Sequence, residues 1–151
     1  MYVDEPDNKA IDYIIENLCD KAIDELLIKF GKSYEYYTKI YLYSIPFKNI
    51  KIIRLKNNDE PVALFGYIPL ENNSAGIFFL STNNLYEGNM IKFLKGTKHY
   101  IDEWSKEYPI LLDDCYKKND SVIKWLKFLK FEPTTTESDN FQIYKREVKN
   151  A

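Results

Sequence analysis

The chain has 151 residues, 45% of them hydrophobic and 29% charged, with a formal net charge of −2. That balance predicts a single globular domain, residues 1–151, with one packed core, and excludes the disordered and fibrous classes. It also excludes a global field that would draw the chain onto nucleic acid or an anionic membrane, so any basic surface has to be local.

Cys19 and Cys115 are the two cysteines. They stand far apart without metal-ligand spacing, as expected in a reducing cytoplasm and not in a disulfide scaffold or a zinc site. The N-terminal MYVDEPDN is acidic and lacks an apolar stretch, which predicts no secretion signal. No apolar run approaches the roughly 20 residues that span a bilayer, so a soluble protein is expected.

From Asn8 to Leu27 the apolar residues Ile11, Ile14, Ile15, Leu18, Ala22, Ile23, Leu26 and Leu27 recur at helical spacing, with a break near Cys19. Gly31 ends the run, and Ser33 can cap a further helix through Leu42, closed by Pro46. Tyrosines as dense as those of SYEYYTKIYLY (Ser33–Tyr43) can stack on single-stranded nucleic acid. Their near-helical spacing and modest charge predict a packing face instead.

Short apolar runs follow at Ile50–Leu55, Val62–Ile68 and Gly76–Leu80, separated by KNNDEP and PLENNS. Runs of this length, rich in Ile, Val and Phe and bounded by Asn, Asp, Pro and Gly, predict a meander of antiparallel strands. Helical spacing returns from Asn89 to Trp104, with Gly96 as a weak point, and a short strand is expected at Ile110–Leu112 after Pro109.

The stretch KKNDSVIKWLKFLKF (Lys117–Phe131) then places Val122, Trp125, Leu126 and Leu129 on one helical face, with Lys124, Lys127 and Lys130 opposite. A membrane or a partner helix could use that face. In a compact domain, a helix that follows a buried strand packs on the sheet, and that is the expectation. The polar TTTESDN leads to a final strand at Phe141–Lys145. The element order describes a mixed α/β (α+β) domain.

The same order, helices, three strands, helix, strand, helix, strand, resembles the GNAT superfamily of N-acetyltransferases. At the positions of its motif N-x-x-A-x-x-x-Y-x-x-x-G-F this sequence carries Asn119, Val122, Leu126, Lys130 and Phe131. The phage branch of that superfamily, typified by the internal virion protein A of T7-like phages, is matched more closely. The matching segments are PVALFG (Pro61–Gly66), IFFLST (Ile77–Thr82), YPIL (Tyr108–Leu111) and NDSVIKWLKFLKF (Asn119–Phe131).

The resemblance implies a mostly antiparallel central sheet flanked by helices and an acetyl-CoA cofactor lying where the fourth and fifth strands splay apart. Backbone groups of Leu80 and Ser81 would pair with the pantetheine arm, and the turn at Gly88 and Asn89 would meet the pyrophosphate at a helix N-terminus. Asn119 would edge the same cleft. For catalysis it implies an acid and a base. Tyr116 is the candidate acid and Glu25 the candidate base, with Asp113 and Asp114 as alternatives at a strand end; surface solvation is the simpler reading of all three carboxylates. His99, between Lys98 and Tyr100, has no Ser, Cys or Asp partner in view for a hydrolase triad.

Three departures accompany these matches. The pyrophosphate loop Q/R-x-x-G-x-G/A is replaced by TNNLYEGN, Leu126 stands where many relatives carry the tyrosine acid, and Lys130 stands in place of glycine. Two readings therefore remain open. One is an acetyl-CoA-dependent N-acyltransferase-like phage protein acting on an amine-bearing host molecule. The other is a catalytically silent virion or assembly protein of the same fold, partnered by phage structural proteins. In either case the expected location is the host cytoplasm, extending to the virion.

Overall fold

The computed structural model describes residues 1–87 and 90–148. In chain order the elements are β1 (Tyr2–Asp4), α1 (Asn8–Glu16), α2 (Asp20–Phe30), α3 (Tyr34–Tyr43), β2 (Ile50–Arg54), β3 (Pro61–Pro69) and β4 (Ser74–Ser81). They continue with α4 (Met90–Glu107), β5 (Ile110–Tyr116), α5 (Asp120–Phe128), β6 (Glu132–Glu137) and β7 (Phe141–Glu147). Among the described residues the strands form a mostly antiparallel seven-stranded sheet, in the order β1-β2-β3-β4-β5-β7-β6. The expected mixed α/β class is the observed one.

The chain's contacts gather into two compact units, one of Met1–Gly66 with Phe79–Phe93, the other of Tyr67–Phe78 with Leu94–Ala151. In the first, β1, β2 and β3 pair antiparallel, with Val3 opposite Ile53 and Ile52 opposite Leu64. Val62, Ala63, Leu64 and Phe65 are all buried although successive side chains point to opposite faces, so both faces of β3 are covered. Asp7 caps α1 by accepting the Ala10 N–H at 2.7 Å, and the helix buries Ala10, Ile11, Ile14 and Ile15.

The predicted break near Cys19 has a tertiary cause. Leu18 forms an antiparallel bridge with Thr82, and the Cys19 N–H donates to the Ser81 carbonyl at 2.9 Å, so these residues bond to the end of β4 instead of continuing the helix. Gly31 ends α2 at φ 76°, a conformation that glycine adopts without steric cost. The helix α3 packs on α1 and α2.

The tyrosine-rich segment overturns one expectation. Its helix buries Thr38 and Leu42, whereas Tyr36, Tyr37, Ile40, Tyr41 and Tyr43 are exposed. The shared surface that the spacing predicted exists, but it faces solvent.

In the second unit β5 pairs antiparallel with β7 along its whole length, and β7 with β6. The start of β4 pairs in parallel with β5, Ser74–Gly76 against Ile110–Leu112. The strand β6 replaces the loop expected at TTTESDN. It is held by hydrogen bonds, Thr134 Oγ1 to the Ile143 carbonyl at 3.0 Å and Gln142 Nε2 to the Thr134 carbonyl at 2.8 Å, and not by apolar alternation. Pro133 is tolerated because β6 is an edge strand.

Val122, Trp125, Leu126 and Leu129 are buried, as the projection of α5 predicted. The indole of Trp125 donates to Thr97 Oγ1 of α4 at 2.9 Å, a bond between two fully buried groups. Gly96 leaves α4 unbroken. Among the described residues no helix is long and apolar enough to cross a membrane.

Candidate functional site

The candidate residues of the first unit gather at the end of β4. The Thr82 N–H donates to the Val62 carbonyl of β3 at 2.9 Å. Because main-chain polar groups alternate along a strand, the Ser81 carbonyl points to the opposite edge, where Cys19 meets it. The Cys19 thiol and the Ser81 hydroxyl also stand 3.7 Å apart, both buried. Leu80 is buried beside them. Beyond the strand, Asn84 N–H meets Thr82 Oγ1 at 3.3 Å and Asn84 Nδ2 meets Glu60 Oε2 at 2.7 Å, which orders the start of the following turn. Gly88 and Asn89, expected at the pyrophosphate, lie outside the described residues.

Glu25 lies on α2, the helix whose start Cys19 pins to β4. Six residues of helix separate the two, about 9 Å along the axis. Its carboxylate is largely buried and pairs with Lys29 Nζ at 3.2 Å, one turn on. A base there would reach a proton near Ser81 through water, not directly.

The second unit brings Tyr116 and Asn119 together. Tyr116 ends β5, and its carbonyl accepts the Asn119 N–H at 3.0 Å. Asn119 caps α5, its Oδ1 accepting the Val122 N–H at 3.4 Å and its carbonyl the Ile123 N–H at 3.1 Å. Both residues are buried, and the Tyr116 ring packs on Phe141 with centroids 5.9 Å apart. Strand alternation buries Asp113 and exposes Asp114. His99 is exposed on α4, its ring edge against Tyr100.

The departures at Leu126 and Lys130 have different structural meanings. Leu126 is fully buried, a core side chain. Lys130 has φ 68° and follows a helix end in which the Phe131 N–H bonds the Leu126 carbonyl at 2.9 Å and the Lys130 N–H bonds the Lys127 carbonyl at 3.1 Å. This is the Schellman end, whose left-handed position favours glycine. The contact of Cys19 with Ser81 escaped the sequence reading, although the break in helical periodicity near Cys19 was its signal.

No protein-family model and no curated protein sequence matches the chain. Solved structures do match it. An acetyltransferase of the GNAT family from Staphylococcus aureus Mu50 has TM-score 0.73 at 16% identity, over 97% of this chain and 98% of that one. The GNAT domain of S. lividans PAT has TM-score 0.70 at 12% identity, over 97% and 89%. A ribosomal-protein-alanine N-acetyltransferase from Brucella melitensis has TM-score 0.62 at 11% identity, over 98% and 100%. At these identities the likeness is one of fold, and the fold is that of the GNAT acetyltransferases.

Proposed function

We propose that the chain is an acetyl-CoA-dependent N-acyltransferase of GNAT type, from the phage branch of that superfamily. The observation that carries this reading is the fold, shared over 97% of this chain and 98% of a GNAT acetyltransferase. The phage-branch segments add support, since they fall on β3, at the end of β4, at the start of β5 and on α5.

In this reading acetyl-CoA is a substrate. The main chain at Leu80 and Ser81 receives the pantetheine arm. Asn119 brings its side-chain NH₂, and Gly88 and Asn89 take the pyrophosphate. The acceptor amine attacks the thioester carbonyl, the C–N bond forms and the C–S bond breaks. The amine proton passes through water to Glu25. The departing thiolate takes the Tyr116 hydroxyl proton, and solvent restores the tyrosine. A thiol with a pKa of about 8.5 also leaves without full protonation, so Leu126 slows this chemistry and does not forbid it.

Calorimetry with acetyl-CoA tests the reading. The expected result is saturable binding with Kd between about 1 μM and 1 mM. No heat at millimolar acetyl-CoA ends it. Given binding, Tyr116→Phe should lower kcat by about 10² to 10⁴ while leaving Kd unchanged. An unchanged kcat would remove Tyr116 from the mechanism.

A second reading, a catalytically silent virion or assembly protein, is favoured by the burial of Leu126 and by the use of Asn119 Oδ1 as a helix cap. Its partners would be phage structural proteins. Mass spectrometry of purified particles separates the two. Absence from particles together with a measurable acetylation rate rules out the silent role.

A further inference from the structure

The outward face of α2 and α3 is apolar where a surface helix is normally polar. Projected at about 100° per residue, Thr38 and Leu42 fall on one side of α3 and Tyr36, Tyr37, Ile40 and Tyr41 on the other. The first pair is buried, whereas the second group, with Leu27 of α2, is 40% to 64% exposed. The Phe30 ring stacks on Tyr37 at 6.4 Å and Tyr36 meets Tyr37 edge-on at 5.5 Å, so the surface is continuous across the two helices. A helix apolar on both sides belongs in an interior.

Size and charge indicate what covers it. Leu27, Tyr36, Tyr37, Ile40 and Tyr41 expose roughly 500 Å², taking about 200 Å² for a full side chain, which is toward the upper end of what a monomer leaves open. That is below the roughly 800 Å² that each partner gives to a stable complex, the size of a weak, concentration-dependent contact. Residues 20–48 hold four acids and five lysines, interleaved. Nucleic acid calls for a basic surplus and a strongly charged protein partner for the opposite sign, whereas a near-neutral surface of mixed sign can meet itself.

We infer that this face is the interface of a homodimer, two copies related by a two-fold axis that sets α3 against α3 of the second copy. The inference stands apart from acyl transfer and does not depend on acetyl-CoA.

Sedimentation velocity from micromolar to hundreds of micromolar protein is the test. The expected result is a species at twice the chain mass of 18.0 kDa, with Tyr36→Glu and Ile40→Glu each raising the dimer Kd at least tenfold. Circular dichroism checks that both variants fold, as their exposed positions imply. If Ile40→Glu loses its native spectrum, Leu27→Lys on α2 probes the same contact. A monomer at every concentration overturns the proposal, as does a dimer that persists in the Tyr36→Glu, Ile40→Glu double variant. A monomer that binds a single-stranded oligonucleotide through these tyrosines also overturns it, with nucleic acid as the occupant.

Discussion

Lys130 shows how a single dihedral angle changes the meaning of a substitution. As a letter it departs from a glycine in a family motif, which invites a catalytic explanation. At φ 68° it occupies the left-handed position after α5, where a Cβ costs about 1 kcal/mol or more. Lys130→Gly should therefore stabilise the protein by about 1 kcal/mol. Urea unfolding reads this as a higher midpoint at unchanged slope. Thr97 makes the opposite case, because nothing in its local sequence marks it out. Its hydroxyl accepts the buried Trp125 N–H, so Thr97→Val, which keeps the shape and removes the acceptor, should cost about 1–3 kcal/mol in the same experiment. The partner of a buried polar atom lies 28 residues away and is set by packing.

At the scale of elements, helix ends are local chemistry and were readable. Gly31 was expected to stop α2, and it does so at positive φ with no atom within 4 Å of the place a Cβ would take. Gly31→Ala should thus cost about 1–2 kcal/mol from backbone strain alone, without a steric clash. Thermal unfolding measures it, and an unchanged melting point would mean that the local backbone relaxes. The edge strand β6 was not readable. It lacks alternating apolar residues and exists through bonds that Thr134 and Gln142 make with β7 and with β6's own main chain. For α3 the period was legible and the orientation was not, since tyrosines at helical spacing mark a face without saying what lies against it.

For the whole molecule, the tyrosines shape the response to alkali. A hydrogen bond to the Asp12 carboxylate, and then burial, push Tyr43 up to about 12. Burial comes first in raising Tyr13, Tyr41, Tyr67, Tyr108 and Tyr144. A group raised on folding contributes stability that is intact below its unfolded value, about 10 for tyrosine, and is lost as pH rises through the folded one. Stability should therefore fall between about pH 10 and about 12. Tyr43→Phe should make that decline shallower, as followed by urea unfolding at stepped pH. An equal slope in the variant would show that the Asp12 bond does not survive in solution.

The sequence by itself determined the class of the fold, the order of most elements, the core face of α5 and the likeness to GNAT proteins. These rest on periodicity and on the spacing of short motifs, which are properties of neighbouring residues. Only the tertiary structure decided that the α1–α2 junction bonds to Ser81, that β6 pairs with β7, that Leu126 is sealed in the core and that the tyrosines of α3 face outward. Each of these depends on which distant segment comes to lie against a given residue. A helical period is the same whether its face meets protein or water, so the burial of that face becomes visible only when the chain is folded.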